Sequence, residues 1–326
     1  MHYPRSARGF RPGLLLFLAA ACLCLARPGA RAQEESPPDV SDLGPLEARY
    51  TETYGTGDYA GALEIANEIV EITWPIHVEM LYNIARLHNL TGEKMKAYEY
   101  LQTAVDAGYW NAGEMRADDA FENLREEKRF RKLVRGAWAN GYVWVLERPE
   151  RDEFQQPERV MEVLAFKPGE RVADIGAGTG YFTVRVAKAV GPTGTVLAHD
   201  ISEEMLDYLE RRLEAEQLEN VVMRKVERDD PMLPEDGVDT ILLVDTWHYI
   251  RDPEYAKKLR AGLASGGRVI VVDYRPRPFE ERPWGPPPEQ QTPREELDAH
   301  FAQAGLVPVR EYDFLSEQYI VEYEVQ

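Results

Sequence analysis

The sequence predicts a chain in two parts, an all-helical region at about 43–140 and an open α/β sheet from about residue 158 onward. In the first part, apolar residues recur at helical spacing and a short pattern occurs twice. In the second part, strand-like and helix-like patterns alternate, which is typical of βαβ units and a largely parallel sheet. Three glycines follow the first of these strands, and such a turn lets a ligand approach the backbone closely.

Residues 1–32 have the organisation of a secretory signal peptide. Arginines at positions 5, 8 and 11 form a basic start, Leu14 to Ala26 form a short apolar core, and Ala30-Arg31-Ala32 is a small-x-small cleavage site. We therefore expect an exported protein, periplasmic or secreted, whose residues 33–42 form a disordered leader. The apolar run is too short for a spanning helix, so no stable membrane span is expected after cleavage. The alternative is an uncleaved signal that anchors the protein in a membrane.

Charge and cysteine content exclude several kinds of chemistry. The formal net charge of −19 argues against a nucleic acid partner, because the phosphates would be repelled. Both cysteines, Cys22 and Cys24, lie inside the predicted signal peptide. The mature chain would then have no disulfide, no thiolate metal site and no cysteine nucleophile. We expect no metal centre.

The helical region contains a repeat with an offset of 35 residues, in which Gly57-Asp58-Tyr59-Ala60-Gly61-Ala62 recurs as Gly92-Glu93-Lys94-Met95-Lys96-Ala97. This period resembles that of tetratricopeptide helix pairs, and a third helical stretch from Phe121 to Trp138 would cap the array. The resemblance implies a groove that holds a peptide or a partner protein. The alternative is a helical extension that only packs on the second domain.

The glycine turn lies in the segment Arg171 to Val184, where a strand carrying Asp174 is followed by glycines at 176, 178 and 180. A dinucleotide fingerprint would need a glycine at position 181, which is Tyr181, and the sequence has no phosphate-binding loop of the G-x-x-x-x-G-K-[ST] type. A second strand, Thr195 to Ala198, is followed by His199 and Asp200, and a carboxylate there can accept hydrogen bonds from ribose hydroxyls. These residues predict a nucleoside-containing ligand without a demanding phosphate group.

At these residues the chain resembles the class I, Rossmann-like methyltransferases that depend on S-adenosylmethionine. Further motifs follow in the family's order: Asp229-Asp230-Pro231 with Leu233-Pro234, Val238 to Asp245 as a fourth strand, and Leu263-Ala264-Ser265-Gly266-Gly267-Arg268 before a fifth. Ser265 stands where the family usually has proline. The resemblance covers about residues 150–326 and implies a parallel sheet that ends in an antiparallel pair. We expect that pair at Val307 to Arg310 and Gln318 to Val325, after a helix from Pro293 to Ala304.

The resemblance also implies roles for single residues at a cofactor site. Gly176, Gly178 and Gly180 would pass under the methionine part of S-adenosylmethionine, and Asp174 would orient its amino group. Asp200 would hold the ribose hydroxyls, and Asp229 or Asp230 would accept a hydrogen bond from the adenine amino group. Ile201 and Met205 would flank the adenine, although apolar residues that open a helix are more often core.

Two segments are candidates for covering the site. The polar stretch 141–157 occupies the place of a helix that folds over the cofactor in related methyltransferases, so Arg151 or Gln156 would contact the ligand's carboxylate. A solvated linker is the alternative. The proline-rich stretch from Arg275 to Pro293 follows the fifth strand, which makes it either a substrate lid or a plain surface loop.

The acceptor side is predicted at Asp245, His248 and Tyr249, just past the fourth strand. His248 would act as a base only if the acceptor must lose a proton. Trp247 and Tyr249 would line an aromatic acceptor pocket. The chain lacks the acid or amide followed by Pro-Pro and an aromatic that grips planar amino groups in related enzymes, which favours a small, lipophilic or aromatic acceptor.

The sequence therefore leaves three functions open. The first is an active methyltransferase for a small molecule. The second is an exported interaction module whose helical repeats bind a partner and whose methyltransferase-like domain is not catalytic. The third is a protein methyltransferase whose repeats present the substrate. The signal peptide favours the second, because S-adenosylmethionine is made in the cytosol, whereas the intact glycines and acids favour an enzyme.

Overall fold

The computed structural model describes residues 43–56, 58–235, 237–278, 280–282 and 285–326. The signal peptide and the leader predicted for residues 1–42 lie outside the described residues. The chain divides into two compact units, residues 1–141 and residues 142–326. Within the described ranges, no helix is both long enough and apolar enough to cross a bilayer.

The described residues of the first unit are helical. Asp58 caps the second helix, because its side chain accepts a hydrogen bond from the Gly61 N–H at 3.0 Å. The helices are α1 (Leu43–Gly55), α2 (Tyr59–Leu90), α3 (Lys94–Asp106), α4 (Ala112–Ala117), a 3₁₀ helix (Asp119–Leu124) and α5 (Lys128–Leu146), whose last turn belongs to the second unit.

Helix α2 differs from the arrangement that the repeat predicts. Two tetratricopeptide-like pairs would need a turn between their second and third helices, whereas α2 runs without interruption for 32 residues and contains Pro75. It packs against α1 and against α3. The helical content is as expected, but the structure does not confirm a tetratricopeptide-like arrangement.

An aromatic core holds the first unit together. The rings of Tyr82 and Tyr109 stack with centroids 4.3 Å apart, and Phe121 and Phe130 lie next to them. All four side chains are buried. The Tyr82 hydroxyl donates a hydrogen bond to the buried Asp118 carboxylate, which also forms an ion pair with Arg86 at 2.6 Å.

The second unit is built on a seven-stranded sheet in the order β3-β2-β1-β4-β5-β7-β6. Strands β1 to β5 are parallel, and β7 lies antiparallel between β5 and β6. This confirms the predicted parallel sheet with its antiparallel ending. The strands are β1 (Arg171–Ile175), β2 (Thr195–Asp200), β3 (Val221–Lys225), β4 (Val238–Val244), β5 (Leu263–Tyr274), β6 (Leu306–Tyr312) and β7 (Gln318–Val325).

Helices cover both faces of this sheet. They are α6 (Glu150–Gln155), α7 (Pro157–Leu164), α8 (Thr183–Val190), α9 (Glu203–Glu216), α10 (Trp247–Ile250), α11 (Pro253–Gly262) and α12 (Arg294–Gln303), with a 3₁₀ turn at Pro288–Gln290. Successive residues of a strand point to opposite faces. Val172 accordingly joins a core with α7 and α8, whereas Ala173 joins a core with α11 and α12. The parallel strands end at one edge, which carries the predicted site residues.

Candidate functional site

The glycine turn after β1 requires glycine for both conformational and steric reasons. Gly176, Gly178 and Gly180 have φ values of 77°, 54° and 80°. A Cβ atom at Gly176 would lie 2.4 Å from the Thr246 hydroxyl, and one at Gly180 would lie 2.3 Å from a Leu209 methyl group. Only glycine takes these φ values without strain and leaves room for the neighbouring side chains.

Asp200 lies against this turn and faces the place where a ligand would bind. One carboxylate oxygen accepts the Gly178 N–H at 2.8 Å, and the other accepts the Ser202 N–H at 2.8 Å. The side chain is buried, and this burial raises the pKa of Asp200 even though the two N–H groups lower it. The Ile201 N–H also lowers the pKa of this carboxylate, so one or two of its roughly four acceptor positions remain for a ligand.

Asp174 is buried beneath the turn at the end of β1. Its carboxylate accepts a hydrogen bond from the Thr183 hydroxyl at 2.5 Å. Burial raises the pKa of Asp174 to about 6, because little solvent remains to stabilise the charge. The nearby Asp200 carboxylate shifts it in the same direction. A positively charged amino group next to Asp174 would restore the usual preference for the carboxylate.

The residues after β2 divide between surface and core. Ile201 follows Asp200 directly and is 55% exposed, so its side chain is available to cover a flat ring. Met205 is buried and belongs to the core, which is the alternative that the sequence had left open for it.

Asp229 and Asp230 lie in the turn after β3, which is tied to β2 by the Val226 N–H donating to the Asp200 carbonyl at 3.0 Å. The Asp230 carboxylate accepts the Met232 N–H at 2.7 Å and therefore caps its own turn. The Asp229 carboxylate has no hydrogen-bond partner within the described part of the chain. The structure shows no contact between the two side chains and Asp200 among the described residues, and it leaves Asp229 as the better candidate for a ligand contact.

Asp245, after β4, is the centre of a buried polar network. Its φ of 53° places it in the left-handed region. The carboxylate accepts from Gln155 Nε2 at 3.1 Å, from Arg151 Nη2 at 3.5 Å and from Gln318 Nε2. Burial raises the pKa of Asp245, and the Arg151 guanidinium opposes this shift. With three donors already bound, this carboxylate is suited to positioning its neighbours.

Arg151 connects helix α6 to the site. Its guanidinium lies 3.9 Å from the centroid of the Tyr181 ring and donates to the Leu146 carbonyl at 2.7 Å. It also donates to Gln155 Oε1 at 2.6 Å. The sequence had indicated Arg151 or Gln156, whereas the network contains Arg151 and Gln155. Spacing could have indicated Gln155, since residues four apart share a helix face.

His248 and Asp273 form a buried pair, of which the sequence predicted only His248 as a site residue. Asp273 is the last residue but one of β5, and its carboxylate accepts the His248 N–H at 2.9 Å and contacts His248 Nδ1 at 2.7 Å. It also accepts the Tyr274 N–H at 2.8 Å. Asp273 could have been found by the same rule that identified Asp174 and Asp200, since it is an acid at the carboxyl end of a buried parallel strand.

Two tyrosines stand next to this pair. Tyr249 is 49% exposed and hydrogen-bonds with Tyr142 of the last turn of α5. Burial raises the pKa of Tyr142, and its charge would also be repelled by Asp245 and Asp200. Trp247 is fully buried, and its ring meets Phe301 at 4.8 Å. The expectation that Trp247 lines an acceptor pocket is therefore wrong, because its side chain fills the core.

The proline-rich stretch after β5 is described only in part, since Phe279, Pro283 and Trp284 lie outside the described residues. Gly285 approaches the Tyr274 ring, and a Cβ atom there would lie 3.3 Å from it. Arg282 lies over the same ring at 4.8 Å. The described part of this stretch thus covers Tyr274, the neighbour of Asp273.

The residues around the glycine turn fit S-adenosylmethionine. The turn is built from three glycines with positive φ, and the Asp200 carboxylate lies beside it, bonded to the Gly178 N–H. Across the described ranges, no group of three or more His, Cys, Asp or Glu side chains is placed to hold a metal ion.

Comparison with known proteins agrees with this geometry. Residues 166–304 match the family model of a methyltransferase domain. A ubiquinone/menaquinone biosynthesis C-methyltransferase from Ectopseudomonas mendocina is 30% identical over 116 residues, which is 35% of this chain and 45% of that protein. A protein-L-isoaspartate O-methyltransferase from Aeropyrum pernix is 32% identical over 117 residues, which is 35% of this chain and 42% of that protein.

A solved structure extends the comparison to nearly a whole domain. A SAM-dependent methyltransferase from Aquifex aeolicus superimposes with a TM-score of 0.53 at 27% identity, and the match covers 57% of this chain and 97% of that one. The chain spans less than half the length of the two curated relatives. Over residues 166–304 this chain is therefore similar to methyltransferase domains that use S-adenosylmethionine.

Proposed function

We propose that this protein is an S-adenosylmethionine-dependent methyltransferase that transfers the methyl group to a small-molecule acceptor by in-line displacement. The observation that carries the proposal is the buried Asp200 carboxylate bonded to the Gly178 N–H, beside three glycines with positive φ. The methyltransferase domain at residues 166–304 supports the same activity.

Residues on the cofactor side would bind and orient. Asp200 would hold the ribose hydroxyls through its remaining acceptor positions. Asp174 would attract the amino group, and the buried Arg151 guanidinium would attract the carboxylate of the methionine part. Asp229, whose carboxylate is not used by its own turn, would accept from the adenine amino group, and Ile201 would cover one face of the ring.

S-adenosylmethionine supplies a methyl group that is already activated on its sulfonium, so the protein mainly has to align the acceptor and exclude water. The phenol groups of Tyr142 and Tyr249 would orient an acceptor by hydrogen bonds. With the His248 Nδ1–H donated to Asp273, the Nε2 lone pair would remain to take a proton from the acceptor.

A small, lipophilic or aromatic acceptor is supported by two observations. Several of the curated relatives are named as ubiquinone/menaquinone biosynthesis C-methyltransferases. Tyr249, an exposed aromatic side chain, lies at this edge of the sheet. Protein methylation is the second candidate, because one relative is named as a protein-L-isoaspartate O-methyltransferase. In that case the helical unit would bind the protein substrate through the exposed apolar side chains of α2, such as Leu63, Trp74 and Leu87.

Calorimetric titration with S-adenosylmethionine and S-adenosylhomocysteine tests the cofactor site. Asp200→Ala removes up to two charge-assisted hydrogen bonds and is expected to weaken binding by about 2 to 5 kcal/mol. Asp207→Ala, an exposed acid on helix α9, is the matched control and should bind like the wild type. Absence of binding by the folded wild-type protein would show that the domain does not use this cofactor and would favour an interaction module without catalysis.

Methyl transfer from labelled S-adenosylmethionine distinguishes the two acceptor classes. Label in an organic extract containing quinols and phenols would support a small-molecule acceptor, and label in precipitated protein would support protein methylation.

We further propose that the protein is exported after cleavage behind Ala32. N-terminal sequencing of the protein from periplasmic and culture fractions should then begin at Gln33, whereas a full-length chain in the membrane fraction would support an uncleaved anchor.

A further inference from the structure

A cavity of about 380 Å³ lies over strands β1, β2 and β3 and is not part of the site described above. Its floor begins at the first residues of β1 and β2 and extends to His199, one residue before Asp200. The residues that line it include Arg171, Leu197, His199, Val222, Arg224 and Met232.

Strand register brings these side chains to one face of the sheet. Ala173 pairs with Leu197, Leu197 with Val222, and His199 with Arg224. Because alternate residues share a face, Leu197, His199, Val222 and Arg224 point to the same side as Ala173. On this side the connection between β3 and β4 is a loop without a helix in its described residues, so the floor stays open and Val222 is 52% exposed.

The loop that walls the cavity is firmly held. The Pro231 carbonyl contacts His199 Nδ1 at 2.8 Å, and the Met232 carbonyl accepts from Arg224 Nη1 at 3.1 Å. Met232 itself has a φ of 50°, in the left-handed region. A non-glycine residue held in this region is often found where a side chain is presented to a ligand. Met232 is 41% exposed and lines the cavity.

The charges of the cavity differ in sign from those of the whole protein, whose formal net charge is −19. Arg171 and Arg224 lie at opposite ends on the two strands that flank β2, offset by four positions or about 13 Å along the strand direction. Burial lowers the pKa of His199, so this residue is neutral. No carboxylate lines the cavity among the described residues. Asp239 lies beside it and accepts the Arg171 main-chain N–H at 2.8 Å.

Both arginines have donors to spare. Arg224 uses one N–H of the five on its guanidinium for the Met232 carbonyl. Within the described part of the chain, the Arg171 guanidinium has neither an ion pair nor a hydrogen bond. An apolar floor with a guanidinium at each end, each with unused donors, offers complementary contacts to a molecule with an apolar body and an anionic group.

We propose that this cavity binds a small amphipathic anion, such as a medium-chain or aromatic carboxylate. The apolar body would lie on Leu197, Val222 and Met232, and the carboxylate would pair with Arg171 or Arg224. The volume lies at the lower end of the range for small-molecule sites. Such a ligand would bind at the sheet face and would not compete with S-adenosylmethionine.

Methyl-labelled methionine reports on the site directly, because Met232 lines the cavity whereas Met205 is buried in the core of the cofactor side. The full-length protein with ¹³C-methyl methionine is titrated with octanoate and, separately, with the uncharged 1-octanol, and the Met232 signal is assigned through Met232→Leu. The expected result is a saturable shift of the Met232 signal with octanoate and at least tenfold weaker binding of octanol.

Substitution of the two cavity arginines tests whether their charge is needed for octanoate binding. Arg171→Gln and Arg224→Gln are each compared with Arg211→Gln, which removes an exposed arginine on helix α9. Loss of the charged partner should weaken octanoate binding about ten- to a hundredfold in at least one of the first two variants, and Arg224→Lys should restore most of an Arg224 effect. An unshifted Met232 signal, equal affinity for octanol, or equal affinity in all glutamine variants would overturn the proposal. S-adenosylhomocysteine, titrated into the same samples, tests the cofactor site separately.

Discussion

At the scale of single residues, Asp273 determines what His248 can do. The carboxylate receives the main-chain N–H of His248, its ring nitrogen Nδ1 and the Tyr274 N–H, so the imidazole has one orientation and one tautomer. A histidine after a strand in a sequence is more often structural than catalytic. The acid that holds it, 25 residues further along the chain, makes a role as base specific enough to test.

Asp273→Asn should lower kcat on the identified acceptor by about a hundredfold while the affinity for S-adenosylmethionine stays near that of the wild type. The amide removes the charge that stabilises the protonated imidazole and lets the ring turn. His248→Asn should lower kcat at least as much as Asp273→Asn does, and the double variant should be no slower than the worse single variant. Asp207→Asn controls for the change in net charge. A changed KM for S-adenosylmethionine with an unchanged kcat would show that Asp273 only supports the fold.

Asp174 carries an energetic conflict between stability and binding. Its pKa is about 6 in the folded protein against 3.8 for the unfolded chain, so the folded state binds this proton more tightly. The charged carboxylate therefore opposes folding at neutral pH, and the opposition is lost as the pH falls through 6 toward 3.8.

Asp174→Asn is accordingly expected to raise the free energy of unfolding at neutral pH by about 1 to 3 kcal/mol and to weaken S-adenosylmethionine binding. Urea denaturation measured from about pH 4 to pH 7 should show the two proteins converging at the acid end. A gap that stays constant over this range, or a less stable variant, would mean that the hydrogen bond from Thr183 matters more than the buried charge.

At the scale of elements, the sequence predicted the sheet better than the helices. The strands β1, β2 and β4 are apolar runs bounded by glycine or by acids, so their carboxyl ends and the residues Asp174 and Asp200 could be located without a structure. Helix α2 could not, because a repeat of 35 residues indicates where similar segments lie but not whether a turn separates them. The helix continues through Pro75. A proline in a helix interior usually kinks or ends the helix, because it lacks the backbone N–H and its ring clashes with the preceding turn.

The turn between β1 and α8 allows a test of steric against conformational cost. Gly180→Ala places a Cβ atom 2.3 Å from Leu209, whereas Gly266→Ala at nearly the same φ, 78° against 80°, meets nothing within 4 Å. Both variants bear the strain of a positive φ, and only the first must also move a core side chain. We expect Gly180→Ala to lose about 2 kcal/mol more unfolding free energy than Gly266→Ala, measured by urea denaturation. Equal losses would show that Leu209 repacks at no cost.

At the scale of the whole molecule, the two units have separate cores. The aromatic core around Tyr82 lies in residues 1–141, and the cores on both faces of the sheet lie in residues 142–326. The sequence showed this division through a change of period, from helical repeats to alternating strands and helices. It could not show Arg151, Gln155, Asp245 and Gln318 joining in one network, because Gln318 is 163 residues from Gln155 and no motif connects them.

Separate cores predict that a cofactor analogue stabilises one unit only. S-adenosylhomocysteine at a hundredfold excess over its Kd would stabilise the folded α/β unit by about 2.7 kcal/mol, provided that the unfolded chain does not bind it. Hydrogen exchange measured by mass spectrometry should then slow in peptides covering β1, the glycine turn and β2, with no change in peptides from α1 to α4. Asp200→Ala, if it weakens binding by about 2 to 5 kcal/mol, should reduce this stabilisation to about 0.9 kcal/mol or less at the same concentration. Slower exchange in α1 to α4 would mean instead that cofactor binding also stabilises the helical unit, which would contradict this prediction.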